Sequence, residues 1–240
     1  RADSRLGRIF AWYSYAVGMW AFFQIFFIIP GDLENAYFFA RVSQIGVVFI
    51  PTLFLHFVRE FCRLERKIHK IILAIGYTIS FLTLLSIPTP LFISGVVPKF
   101  GGIINFVMPG PLDYVFVAYF VFASVYAIIS LAFNLWRLEG KNKGLAHLLC
   151  WSSLIAYSGG GANFFLTFGV NPYPLTPYGT YGVVIYFSLL AYALFRYQFV
   201  DIKSALQLAH RERLVALGTL ATSITHEIKN PLYIIKGLAE

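Results

Sequence analysis

The chain of 240 residues is 58% hydrophobic, 18% aromatic and only 12% charged, a balance far outside soluble usage that points to an integral membrane protein. A net charge of +8 would suggest nucleic acid as a partner. The positive residues, however, fall in short clusters between apolar runs rather than over one face, so they read as membrane topology and no nucleic-acid partner is expected.

The chain opens at Arg1 with neither a methionine nor a signal sequence, which predicts a piece of a longer protein. A bilayer core takes roughly 20 apolar residues per helix, and six stretches meet that requirement, at about 9–29, 37–58, 71–93, 114–136, 145–169 and 179–199. The expected fold class is all-α: a polytopic membrane helix bundle of six spans, residues 1–199, continuing into a cytoplasmic coiled-coil or phosphoacceptor helix. Six spans place both ends on one side. Arg1, Arg5 and Arg8, then Arg59, Arg63, Arg66, Lys67 and Lys70, then Arg137, Lys141 and Lys143 mark that side as cytoplasmic. The alternate connections hold Lys99 as their one basic residue beside Asp32, Glu34 and Asp113, and so face outward.

Pro51 and Pro88 fall inside or near the ends of helices and are expected to bend them. The run Gly159 to Gly161 in the fifth stretch suggests close approach of a neighbouring helix, with a hinge or a pocket as the alternative. Cys62 and Cys150 lie in or beside apolar runs without metal or disulfide spacing, and read as structural. The outer connections are too short to fold as a separate binding domain, so a stimulus must act within the bundle, at its outer mouth or through the lipid. Polar residues inside the spans are the candidates for holding such a small-molecule or membrane stimulus: Gln24, Arg41, Gln44, His56, Asn134 and Asn163. Each also has a plain reading, since arginine can reach out to the interface and amides commonly bond a neighbouring helix.

Beyond the last span, residues 200–213 turn polar without proline or glycine, as a cytoplasmic linker helix would. From 214 to 240 a heptad appears: Leu214, Leu217, Ala221, Ile224 and Ile228 follow one another at steps of three, four, three and four, the seam of a helical bundle or coiled coil. Ile202, Leu206 and Ala209 sit one position out of that frame, so a phase shift lies between the two segments. On this seam His226 and Asn230 both point away from the core, one turn apart. The pair His226-Glu227 opens a metalloprotease pattern, but that chemistry needs a second histidine where Asn230 stands, so no metal site is expected.

The run "RERLVALGTLATSITHEIKNPL" resembles the phosphoacceptor H-box of bacterial sensor histidine kinases. The resemblance implies that His226 accepts the γ-phosphoryl group of ATP and passes it to an aspartate of a response regulator. It further implies that Glu227 is the general base and that Asn230 positions water in the reverse, phosphatase reaction. Neutral imidazole is nucleophilic near neutral pH, and an adjacent carboxylate can hold its other ring N–H and stabilise the charge that develops. Upstream, "VFIPTLFLHFVREF", "GVNPYPLTPYGTYG" and "LLAYALFRYQFVDI" resemble the seven-transmembrane amino-terminal sensor region of some bacterial histidine kinases, with Arg1 standing where that family has its first cytoplasmic loop.

These likenesses imply a protein histidine kinase of the bacterial cytoplasmic membrane, a homodimer in contact with membrane lipid, whose ATP and Mg2+ bind outside this chain. The fragment alone is then expected to be inactive. A rival from another class is a multi-span transporter or non-kinase receptor, but no internal repeat or pair of broken helices supports it.

Overall fold

The computed structural model describes residues 2–29, 31–99, 101–138, 140–168, 178–197 and 214. The chain divides into two compact units, Arg1–Phe199 and Val200–Glu240. Apart from Leu214, the linker and phosphoacceptor segments lie outside the described residues, and with them His226, Glu227 and Asn230.

The first unit is built from helices α1 (Ala2–Ile28), α2 (Leu33–Val47), α3 (Ile50–Phe61) and α4 (Lys67–Ser86), strands β1 (Ile93–Lys99) and β2 (Ile104–Pro109), then α5 (Pro111–Asn134), α6 (Gly140–Thr167) and α7 (Tyr178–Tyr197). Helices α2 and α3 form one broken rod, which makes six rods among the described residues. The expectation of six spans is corrected here. Among the described residues four rods are long and apolar enough to cross a bilayer: Arg5–Ile28, Leu33–Phe61, Lys67–Ser86 and Pro111–Arg137. Helices do form at the last two expected positions. The apolar character of α6 is diluted by His147, Ser152, Ser153, Ser158 and the Gly159 to Gly161 run, and the apolar run described in α7 is only Tyr181–Leu190. The result is still a multi-span membrane architecture. Its outward surface carries large apolar side chains such as Phe81, Phe133 and Trp136, as a lipid-facing surface does.

The bundle itself is all-α, as expected, with one small addition among the described residues. The long connection before α5 folds into an antiparallel hairpin, with Val96 opposite Val107 and Lys99 opposite Ile104. Gly101 and Gly102 turn it at φ +67° and +88°, backbone angles that side-chain-bearing residues rarely adopt.

The expected bend at Pro51 is present as the break between α2 and α3, where Val48 and Phe49 form a turn and Pro51 enters the first turn of α3. The carbonyl of Val48 accepts a hydrogen bond from Ser80 Oγ of α4 at 2.7 Å. Thr52 Oγ1 lies 2.7 Å from the same hydroxyl and 3.3 Å from the Gly76 carbonyl, and also bonds the Tyr119 hydroxyl. This buried cluster ties α3, α4 and α5 together. Near Pro88 the helix ends instead of bending, α4 stopping at Ser86. Helices α1 and α2 meet at Gly46, where an added Cβ would lie 2.3 Å from the Ala16 carbonyl oxygen.

The two ends of the unit are distinct. Glu60 of α3 pairs with Arg59 at 2.7 Å and with Arg5 of α1 at 3.5 Å, so these basic residues share one end. At the other end Asn105 of β2 donates from Nδ2 to the Ile29 carbonyl at 3.2 Å, and the Tyr37 hydroxyl of α2 donates to the Ile93 carbonyl at 2.9 Å. These bonds dock the hairpin over the ends of α1 and α2.

Candidate functional site

Beneath the hairpin is a cavity of about 180 Å³. Its walls come from α1 (Tyr13, Trp20, Gln24), α2 (Gln44, Val47), α5 (Asp113, Phe116, Phe120), α6 (Tyr157, Gly160) and α7 (Val183, Tyr186, Phe187), with Ile104 to Val107 of β2 closing one side. Most of this surface is apolar or aromatic, and edge-on rings such as Phe120 with Phe164, 5.2 Å apart, set its shape. Each element reaches the cavity for a local reason. Helix α5 begins at Pro111, so Asp113 falls in its first turn. Hairpin register turns Asn105 inward, and it is 2% exposed. Gly160 leaves open space, since an added Cβ there meets nothing within 4 Å, and the same holds at Gly161. The expectation that the glycine run serves close helix approach is therefore corrected at these two positions: Gly160 opens a pocket wall.

Some polar groups on the wall are satisfied within the protein, Asn105 by the Ile29 carbonyl and Tyr13 and Tyr157 by each other at 3.4 Å, while four others have no protein partner among the described residues. Asp113 is 8% exposed, and among the described residues its carboxylate makes no ion pair and no hydrogen bond. The side-chain amides of Gln24 and Gln44 are likewise unpartnered among the described residues. Tyr186 is 2% exposed with its hydroxyl unbonded. Tyr13 and Ser153 act on that hydroxyl electrostatically, but not in hydrogen-bond geometry.

The structure thus brings together two of the six candidate residues, Gln24 and Gln44, and places three others, Arg41, His56 and Asn134, elsewhere. Arg41 donates to the Tyr37 hydroxyl and stacks 4.1 Å from that ring, so it braces the hairpin through Tyr37. His56 Nδ1 lies 2.8 Å from the Tyr77 hydroxyl and its other ring nitrogen 3.8 Å from Glu60, between α3 and α4. Asn134 donates to the carbonyl of Ser130, one turn back on its own helix, at 2.7 Å. Asn163 belongs to α6, but its side chain lies outside the described residues. Among the described residues no group of three or more His, Cys, Asp or Glu side chains comes together to hold a metal ion.

Residues 1–203 match the family model described as the N-terminal 7TM region of histidine kinase. The chain belongs to that family. A stretch of 64 residues, 25% of the chain, is 50% identical to the sensor histidine kinase ZraS of Klebsiella oxytoca and covers 13% of that protein. No solved structure matches. The chain is accordingly the membrane-embedded sensor region of a histidine-kinase-type two-component system, and the transporter and non-kinase receptor alternatives are set aside.

Within this sensor region three cavity residues escaped the sequence reading. Asp113 was counted as a loop charge, although a Gly-Pro start two residues before it is a helix-entry signal. Asn105 was placed in a loop, although two short β-prone runs around Gly-Gly signal a hairpin. Tyr186 carries no local signal that separates it from the other aromatic residues of α7. Chemically, the wall offers acceptors, amides and rings in a water-poor surrounding, where each hydrogen bond to a guest counts for more than it does in water.

Proposed function

We propose that this sensor region reports on the state of its cavity to a phosphoacceptor helix carried by the same chain. In this reading residues 1–199 are the sensor, 200–213 the linker helix and 214–240 the start of the dimerisation and phosphoacceptor domain of a homodimer. ATP and Mg2+ bind outside this chain. An imidazole nitrogen of His226 attacks the γ-phosphorus, an N–P bond forms, the bond to the β,γ-bridging oxygen breaks and ADP leaves. Glu227 holds the other ring N–H and steadies the imidazolium as it forms. A response-regulator aspartate then takes the phosphoryl group, and Asn230 orients water for the reverse, phosphatase step. The protein sits in the bacterial inner membrane with both ends cytoplasmic, which accords with the basic clusters around Arg5 and Arg59.

One observation carries this reading: the family match over residues 1–203 is followed in the same chain, after residues 204–225, by the "HEIKNPL" segment that starts at His226. The test is incubation of the intact kinase with γ-labelled ATP. Acid-labile label should appear and should vanish in His226→Gln, because an amide cannot accept the phosphoryl group. Glu227→Ala should slow labelling by about 10² to 10⁴. Wild-type labelling in His226→Gln overturns the proposal.

A further inference from the structure

Asp113 is the one charged side chain among the described residues that line the cavity; no lysine, arginine or histidine joins it. The connection between α6 and α7 adds no basic residue either. An anionic guest would therefore meet a carboxylate and nothing to neutralise its own charge. Burial disfavours a lone carboxylate charge at Asp113, and the positive partial charge at the amino-terminal end of α5 offsets only part of that cost. That field does not replace a hydrogen-bonded counter-ion, and the protein supplies none. Gln24 and Gln44 bring unpartnered side-chain amides, whose oxygens are acceptors, to the same space, and the aromatic side chains around them attract a positive group where it meets their faces. Size narrows the guest further: an apolar cavity of about 150 Å³ admits benzene, and this one measures about 180 Å³.

We infer that the cavity binds a small cationic amphiphile, a primary amine on an aromatic body little larger than benzene, with Asp113 as its counter-ion and Gln24 and Gln44 as hydrogen-bond acceptors for the ammonium group. The ring of the guest lies among the apolar walls. Its ammonium protons satisfy the carboxylate and amides that the protein leaves open. The inference deepens the sensor reading and rests on it for its biological use, but its chemistry is tested by binding alone.

The test is calorimetric titration of the intact protein in nanodiscs of zwitterionic lipid with three probes of similar shape: 2-phenylethylamine, 2-phenylethanol and 3-phenylpropanoate. The amine should bind more tightly than the alcohol, and the anion should not bind. Asp113→Asn should weaken the amine on the order of tenfold to a hundredfold while leaving the alcohol within about threefold; retained alcohol binding also shows that the variant is folded. Gly160→Leu grows a side chain into the open wall and should weaken amine and alcohol together. Equal affinity of the wild type for amine and alcohol, no amine binding at millimolar concentration, or an amine affinity unchanged in Asp113→Asn each overturns the inference. Amine binding that leaves His226 labelling unaltered upholds the cavity chemistry and removes the sensor coupling. Normal His226 labelling without amine binding upholds the kinase reading and overturns the cavity chemistry.

Discussion

Two sets of polar side chains are enclosed in the same apolar bundle and are treated in opposite ways. Thr52, Ser80 and Tyr119 satisfy one another and the Val48 and Gly76 carbonyls, while Gln24, Gln44, Asp113 and Tyr186 face a common space without protein partners. A buried polar group costs free energy until it is hydrogen-bonded. The first set meets that demand inside the fold and serves as scaffold. The second leaves it for a guest to meet. Between these two sets, hydrogen-bond satisfaction, more than polarity itself, separates scaffold from cavity wall.

The contrast can be broken most forcefully at its glycines. Gly46→Leu should cost about 3 kcal/mol or more, because the new side chain collides with the α1 backbone; Gly160→Ala should lie within about 1 kcal/mol of the parent, since its Cβ meets open space and alanine favours the helix. Thermal unfolding in nanodiscs reads both, and equal losses would erase the distinction. Next come the polar sets. Thr52→Val leaves buried hydroxyls of Ser80 and Tyr119 short of a partner and should cost about 1 to 3 kcal/mol, whereas Gln24→Leu abandons no bond and should be neutral or slightly stabilising. A comparable cost for both would mean that Gln24 is structural.

The smallest effect concerns Cys62 at the end of α3, whose thiol burial pushes up to about 12. Below that pH the thiol stays protonated, so the reactive thiolate is scarce near neutrality and grows as pH rises. Maleimide labelling at pH 7.5 should run at least about tenfold slower than for an exposed thiol and accelerate with pH. Labelling at the rate of a free thiol would show that this end of the bundle is loosely packed.

Hydropathy alone located α1 and α5 well, because long apolar runs leave few alternatives to a buried or lipid-facing helix. It located the last two helices too but overstated α6 as a span, since a window of apolar residues hides the serines and glycines within it, while the described apolar run of α7 is Tyr181–Leu190. The hairpin was lost because Gly95, Pro98, Gly101 and Gly102 punctuate its sequence like a loop. Gln24 and Gln44 were legible for a sound reason: an uncharged amide in an apolar span carries a cost that function or a neighbour must offset. The same reasoning picked Asn134, whose cost is met by the Ser130 carbonyl, and Arg41 and His56, whose costs are met in part by Tyr37 and Tyr77. Which of these two fates applies depends on what lies across the fold, and that is a tertiary property no local pattern holds.

The break at Pro51 has a further consequence, for how the molecule opens. Helical order spreads because each residue adds a backbone bond to the one before it, and at Val48 and Phe49 that succession is interrupted, the Val48 carbonyl being held by a side chain of α4. Phe49 still links the two helices, its N–H donating to the Gly46 carbonyl at 3.1 Å and its carbonyl accepting from the Leu53 N–H at 2.8 Å. Fraying that starts in α2, along the cavity wall, therefore meets a thinned ladder before α3, and within the rod Leu33–Phe61 the amides of α2 should exchange ahead of those of α3.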